Sequence, residues 1–243
     1  MTDRARLPHA ILDRNSRINK ANKIVSIVGK GRFSQCERVL EIGCGSGVIS
    51  HVLSTMSETT DFYAVDVADN RIESEGYKFS IVGGTSLQFP DNHFDLVISN
   101  HVIEHVGPED CQVHHLKEIK RVLSDEGVAY LAVPNKWGLF EPHYRLPLLS
   151  WLPERVSSAY VRAARKGNYY DCRPLSARGI EHLFRQCGLE FEDVTITALK
   201  ETLRIECPDS LAAKHAGSIP AWILALAMPV IPTIIYLLRR GHR

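Results

Sequence analysis

The sequence predicts a single α/β domain built on a doubly wound, mostly parallel sheet of seven strands. Three observations support this fold class. Short β-rich runs alternate with helix-compatible segments, a glycine-rich turn follows the first run, and 243 residues can form one sizeable core but hardly two. Such alternation is typical of a parallel sheet that helices cover on both faces.

The hydrophobic pattern predicts each element in turn. We expect strands at residues 38–42, 62–67, 77–82, 94–99, 128–133, 191–199 and 233–238. Helices are predicted at residues 8–29, 48–56, 108–123 and 174–187. Gly188 is well placed to end the last of these helices.

The formal net charge of +1 gives the whole molecule no attraction for nucleic acid, so no nucleic-acid partner is expected. The charge is unevenly distributed, however. Residues 1–32 hold eight Lys or Arg against two Asp, and residues 145–178 hold seven against one Glu and one Asp. These stretches are interpreted either as solvated helix faces or as surfaces for an anionic substrate or membrane.

The six cysteines form no CxxC pair, which disfavours a zinc ribbon or a thioredoxin-like site. Reduced thiols and a cytoplasmic location are the simplest expectation. The first twenty residues carry spread charges and lack the apolar core of a signal peptide.

Residues 215–238 contain no Asp, Glu, Lys or Arg, and 219–238 match the length of a bilayer span. Pro220, Pro229 and Pro232 divide this stretch, which favours a short helix at 221–228 followed by the strand at 233–238. Peripheral contact with a membrane is the main alternative, and a true span is the weaker one.

The first strand runs into the glycine-rich segment Gly43-Cys44-Gly45-Ser46-Gly47. Glycines let the backbone turn tightly and approach a ligand closely. Asp66 ends the second strand, the position from which a carboxylate accepts hydrogen bonds from ribose hydroxyls. The third glycine of a dinucleotide fingerprint would fall on Val48, and no Walker lysine follows, so NAD and P-loop sites are disfavoured. Glu41 beside the turn suits a cationic cofactor better than a pyrophosphate.

Three segments resemble class I S-adenosylmethionine-dependent methyltransferases, which have a Rossmann-like fold. They are Val39 to Gly47, Phe94-Asp95-Leu96-Val97 with Asn100-His101-Val102-Ile103-Glu104-His105-Val106, and Leu116 to Pro134. The resemblance covers about two-thirds of the chain and lies with the small-molecule branch, near polysaccharide, lipid-glycan and quinone-type O-methyltransferases. It implies S-adenosylmethionine as cofactor.

The resemblance also implies which residues contact the cofactor. The glycine turn wraps the methionine part and Asp66 holds the ribose. Many relatives bind the adenine amine with an Asp where this chain has Gly83-Gly84-Thr85-Ser86, so Thr85 or Ser86 is expected to substitute. The complete prediction for the cofactor site is Glu41, Gly43, Cys44, Gly45, Gly47, Asp66, Val67, Thr85, Ser86 and Asn100.

His101, His105 and His143 are the candidate bases for a hydroxyl acceptor. The plainer alternative is that one histidine lines the pocket and Glu104 caps the next helix. Because some quinone-type relatives bind a divalent cation at this loop, a mixed site of His101, Glu104 and His105 is an alternative, but no metal is predicted.

The chain is expected to form one domain with four parts: a basic N-terminal helix (1–32), a cofactor-binding core (38–134), a lid insertion (135–173) and a C-terminal part (174–243). Inserted loops at this sheet edge set substrate choice. The lid is either an aromatic, cationic cover for a sugar or phosphate-bearing, lipid-linked glycan acceptor, or an amphipathic helix pair over the sheet.

The expected function is O-methylation of a sugar or lipid-linked glycan acceptor at the inner membrane face. The alternatives are methylation of a polyprenyl quinone precursor, or cofactor binding without turnover.

Overall fold

The computed structural model describes residues 13–210 and 231–241. A seven-stranded sheet with the order β3-β2-β1-β4-β5-β9-β8 forms its centre. The strands are β1 (Arg38–Ile42), β2 (Asp61–Asp66), β3 (Lys78–Ile81), β4 (Phe94–Asn100), β5 (Leu123–Pro134), β8 (Leu189–Asp193) and β9 (Thr233–Arg240). The first five run parallel, and β9 lies antiparallel to both of its neighbours. The doubly wound, mostly parallel fold is therefore confirmed.

Helices cover both faces of this sheet. They are α1 (Arg14–Val28), α2 (Lys30–Ser34), α3 (Val48–Ser54), α4 (Glu109–Val122), α5 (Glu154–Ala163), α6 (Ala177–Cys187) and α7 (Thr195–Glu206). One buried cluster joins α4 and α6 to one face, and a second joins α1, α3 and α7 to the other. Burial of these apolar stripes is the main stabilising contribution to the fold.

Local signals set several helix ends. The Asp13 side chain caps α1 by accepting hydrogen bonds from the backbone N of Asn15 and Ser16. Helix α6 ends as predicted at Gly188, which has a left-handed φ of 63°. The helix predicted at 8–29 therefore begins at Arg14 within the described chain, and residues 8–12 lie outside it.

The strand predicted at residues 191–199 is correct only to Asp193, and the remaining six residues are wrong. Strand β8 ends at Asp193, whose carboxylate accepts a hydrogen bond from Thr195 N at 2.8 Å and starts α7. A run of β-branched residues from Val194 to Thr197 favours a strand by propensity. Packing of Val194 and Ala198 against the second core cluster overrides it.

The lid differs from the helix pair considered above. It holds a two-stranded hairpin, β6 (Phe140–Glu141) with β7 (Leu146–Pro147), then a 3-10 turn (Leu149–Trp151) and the single helix α5. These pieces enclose a small core of their own, formed by Tyr144, Leu146, Leu149, Val161, Tyr170 and Cys172. The lid is therefore a built subdomain rather than an irregular loop.

The order of the strands creates a switch point between β1 and β4, because the chain winds outward to β3 before returning beside β1. Ligands bind at the carboxyl ends of strands at such a point. Strand β9 confirms the predicted final strand, whereas the helix predicted at 221–228 lies outside the described residues. Among the described residues, no helix has the length and hydropathy needed to cross a membrane.

Candidate active site

A cleft of about 720 Å³ opens at the switch point. Its walls come from the glycine turn after β1, the ends of β2 and β4, the lid and, on the remaining side, helix α1. The volume is that of a pocket for a drug-sized ligand. Sequence elements far apart in the chain therefore meet at one site.

The glycine turn is shaped by backbone conformations that side chains disfavour. Gly43 and Gly45 have φ of 71° and 52°. A Cβ on Gly43 would lie 2.5 Å from Val102 Cγ2, so this glycine permits the turn to pack against the loop after β4. Both glycines lie on the cleft wall.

Asp66 connects this turn with the end of β2. Its Oδ2 accepts a hydrogen bond from Gly45 N at 2.8 Å, and its Oδ1 accepts one from Val67 N at 2.7 Å. Asp66 also lines the cleft. The carboxylate thus stabilises the loop and leaves lone pairs for a ligand hydroxyl.

Eight of the ten predicted cofactor residues line the cleft: Glu41, Gly43, Cys44, Gly45, Asp66, Val67, Thr85 and Asn100. Gly47 and Ser86 are not among the described residues of its wall. Gly47 has φ of 76°, and a Cβ there would collide with Tyr77 Oη and Glu73 O. Its role is therefore packing at the start of α3. Ser86 is exposed outside the cleft, whereas neighbouring Thr85 lines it and bonds His114 Nδ1 at 2.7 Å.

The pKa values of one carboxyl group and one thiol at the glycine turn are shifted. Burial raises the pKa of Glu41 to about 7, although the hydrogen bond from Ser50 and the charge of Arg17 oppose the shift. Burial also raises the pKa of the Cys44 thiol well above its ordinary value. Cys44 is therefore a neutral wall residue and no nucleophile.

Helix α1 contributes two cations that the sequence analysis did not assign to the site, Arg17 and Lys20. Burial lowers the pKa of Lys20 to about 7, and the charges of Arg17 and Lys23 add to the effect. Buried Arg17 Nε and Asn100 Oδ1 have no hydrogen-bond partner within residues 13–210 and 231–241. The basic N-terminal segment was noticed in the sequence, but only the packing of α1 shows which of its residues face the cleft.

These groups fit S-adenosylmethionine. A buried guanidinium edge without a partner suits the cofactor's carboxylate, and the orphaned amide oxygen of Asn100 suits its ammonium. Asp66 suits the ribose hydroxyls, and Glu41 suits the positive sulfonium end. The residues present can therefore satisfy each charged or polar end of that molecule.

Beyond this region, three histidines surround one buried carboxylate. Glu104 is 1% exposed, and its Oε1 lies 3.0 Å from His143 Nε2, 3.4 Å from His101 Nδ1 and 3.9 Å from His105 Nε2. Thus the interpretation of Glu104 as a helix cap is wrong. Helix α4 begins after Pro108, and within the described chain no side chain caps it.

The pKa values of His101 and His143 shift in opposite directions. Burial and the charge of Lys20 lower the pKa of His101 to about 3, which keeps its ring neutral. Burial also opposes the charged form of His143, but the hydrogen bond to Glu104 and the charges of Glu104, Glu141 and Asp171 raise its pKa above the ordinary value. Although burial disfavours its carboxylate, the hydrogen bond from His143 and the nearby ring of His101 lower the pKa of Glu104.

Lid residues close the cleft over this cluster. The backbone N of Arg173 donates to Glu104 O at 2.8 Å, which ties the end of the lid to the loop after β4. Tyr169, Asp171 and Arg173 line the same cavity as the three histidines. The sequence placed these lid residues near a substrate but gave no sign of this contact with Glu104.

Two overlapping sets in the cluster meet the distance condition for a metal ion: His101, Glu104 and His143, and His105, His143 and Cys172. The donor atoms of each set lie within 4.8 Å of one another. Nitrogen, oxygen and sulfur donors of this kind suit zinc. No metal was predicted; Oε1 of Glu104 bonds His143 Nε2, and its buried Oε2 has no hydrogen-bond partner among the described residues.

Comparisons with known proteins match this architecture. Residues 40–131 match the family model described as "Methyltransferase domain". A curated mouse relative, "Probable tRNA methyltransferase 9B", is 26% identical over 157 residues, which are 62% of this chain and 33% of the relative. A second, "Malonyl-[acyl-carrier protein] O-methyltransferase" of Paenibacillus sp. (strain JDR-2), is 24% identical over 125 residues, 46% of this chain and 45% of the relative. The chain thus spans less than half the length of these two relatives.

The fold also resembles solved structures. An "S-adenosylmethionine dependent methyltransferase" from Mesorhizobium loti superposes with a TM-score of 0.60 at 12% identity, covering 91% of this chain and 98% of that one. At such low identity the likeness concerns the fold. Residues 40–131 therefore form a methyltransferase domain, and the fold around them is that of class I S-adenosylmethionine-dependent methyltransferases.

Proposed function

We propose that the protein transfers a methyl group from S-adenosylmethionine to a hydroxyl of a sugar or lipid-linked glycan acceptor, with His143 as the general base. The observation that carries the proposal is the 3.0 Å contact between His143 Nε2 and buried Glu104, inside the cleft that the glycine turn forms. When bound, the cofactor supplies a methyl group on a positively charged sulfur. The remaining chemistry falls to residues of this chain.

Alignment and binding come first. Arg17 and Asn100 would hold the two ends of the methionine part, and Asp66 the ribose. Methyl transfer is an in-line displacement, so the protein mainly fixes the two reacting atoms and excludes water. The lid contributes to this exclusion because Tyr169 and Arg173 lie on the cleft wall.

Proton removal is the second task. If Nε2–H of His143 donates to the Glu104 carboxylate, the basic lone pair resides on Nδ1. The acceptor hydroxyl would give its proton to His143 while its oxygen takes the methyl group that the cofactor, held by Arg17, Asn100 and Asp66, would supply with loss of its positive charge. Glu104 stays ionised because its pKa is lowered, and it stabilises the imidazolium that forms.

The acceptor class is inferred from the lid. Its aromatic residues and its basic surface suit a sugar ring or a phosphate group at a membrane lipid. The names of the two relatives point to a tRNA and to an acyl-carrier protein, and so do not agree on an acceptor. The competing proposals are methylation of a polyprenyl quinone precursor and cofactor binding without turnover. A cytoplasmic site at the inner membrane face suits both the glycan acceptor and the quinone precursor.

Incubation with methyl-labelled cofactor and a membrane-lipid extract tests the proposal. Label in a glycolipid is the expected result, label in a quinone supports the first competitor, and tight cofactor binding without any product supports the second. The His143→Gln variant tests the role of His143 as the base. It should lose transfer while its cofactor affinity by calorimetry stays unchanged, and full transfer by this variant would eliminate His143 as the base.

A further inference from the structure

The lid carries most of the exposed large apolar side chains in the described chain. Six of the ten lie between residues 137 and 156. We name five of them the lid patch: Trp137 (47% exposed), Leu139 (44%), Phe140 (59%), Leu148 (42%) and Trp151 (43%). Single exposed apolar residues are ordinary, but a cluster of this kind marks an interaction surface.

Ring packing and hydrogen bonds hold parts of the lid patch in place. The rings of Trp137 and Trp151 pack edge to face with centroids 5.9 Å apart, and Trp151 Nε1 donates to Gly138 O at 3.1 Å. Leu148 N donates to Leu139 O at 2.8 Å, which brings the two leucines together across the hairpin. The small lid core beneath them fixes this surface without burying it.

Basic residues flank the lid patch. Lys136, Arg145 and Arg155 are exposed, and Lys136 Nζ lies 5.5 Å from the centroid of the Trp137 ring. Of the two glutamates in the same stretch, Glu141 is 1% exposed and only Glu154 faces solvent. Tryptophans beside cations are typical of the headgroup region of a bilayer.

Two neighbouring features relate this surface to the rest of the molecule. Asn135 Nδ2 donates to Ile231 O at 2.9 Å and Asn135 N donates to Pro232 O, so this part of the charge-free sequence 215–238 lies beside Lys136 and Trp137. The hairpin that carries Phe140 and Leu148 also carries His143, the candidate base. A contact made by the patch would therefore lie next to the cleft.

From these observations we infer that the lid patch is a membrane-docking surface that inserts into the headgroup region of an anionic bilayer. The aromatic and leucine side chains supply apolar contact, and the flanking cations meet the lipid phosphates. The inference rests on the proposed function for its purpose, since docking would bring a lipid-linked acceptor to the cleft. The docking itself is measurable without any acceptor.

Co-sedimentation with vesicles tests the inference on the full chain. We expect binding to phosphatidylglycerol-containing vesicles that weakens with salt and is much weaker with phosphatidylcholine alone. The double variant Phe140→Ser, Leu148→Ser should bind at least about tenfold more weakly. Ile81→Ser is the matched control, because Ile81 is 58% exposed on the edge strand β3 and lies outside the lid, and it should bind as the unmodified protein does.

Several outcomes would overturn the inference: protein that stays in the supernatant with anionic vesicles, unchanged binding by the double variant, or an equal loss with Ile81→Ser. A dimer that the double variant dissociates in the absence of lipid would assign the patch to a second copy of the chain instead. Cofactor affinity is measured on the same samples by calorimetry. For the unmodified protein, absence of docking with intact cofactor binding refutes only the surface, whereas docking without cofactor binding refutes only the proposed function.

Discussion

Replacing Asp66 by Asn is the sharpest single perturbation of the cofactor site. The two side chains have the same shape, but the carboxylate accepts from both Gly45 N and Val67 N. An amide has one accepting end, so its NH2 group must face one of these two backbone donors. The substitution therefore removes one hydrogen bond and places the amide NH2 group against a backbone N–H donor. It also removes the negative charge expected at the ribose.

Loss of a hydrogen bond to a charged group together with an unsatisfied donor costs about 1–3 kcal/mol. Since each 1.4 kcal/mol is a factor of ten, cofactor affinity should fall by about 5- to 150-fold. Isothermal titration with S-adenosylmethionine and with S-adenosylhomocysteine measures it. Asp69→Asn is the control, because Asp69 bonds Arg71 nearby and is not among the described residues that line the cleft. Equal affinity of Asp66→Asn and the unmodified protein would remove Asp66 from the site.

Three further predictions concern the same cleft. Arg17→Gln should lower affinity for S-adenosylmethionine about tenfold or more and leave that for methylthioadenosine, which lacks the carboxylate, unchanged; an equal loss for both ligands, or an equal effect of Arg14→Gln, would contradict the assignment. Transfer should increase with pH through a midpoint above 6.5, because the raised pKa of His143 must be passed before the base is neutral, and Glu104→Gln should lower that midpoint and slow transfer by about 10²-fold or more. Chelation with EDTA should leave the rate unaltered, and activity that disappears and returns with zinc would favour the metal sets over the base.

Much of the core was predictable because its signals are local. The pattern of apolar runs located β1 to the residue and the other parallel strands to within a few residues, apart from β5, which extends back to Leu123. The glycine turn and Asp66 followed from the strict backbone needs of a loop at a switch point. Where several local signals agree, tertiary context has little to override.

The remainder depends on contacts between distant segments. No spacing in the sequence brings His143 of the lid within hydrogen-bonding distance of Glu104, or Arg17 of the first helix to the cleft. Gly47 belonged to the same motif as Gly43 and Gly45, yet its missing side chain makes room for Tyr77. Residues 194–199 were misassigned because their strand propensity conflicts with their packing.

The account depends most directly on the cleft being a pocket for S-adenosylmethionine. Calorimetric titration of the unmodified protein with S-adenosylmethionine, S-adenosylhomocysteine and NAD measures this without knowledge of the acceptor. Saturable binding of the first two at one site per chain, with no heat from NAD, is the predicted result. No saturable binding of either sulfur nucleoside would contradict the assignment of the cleft and every step built on it.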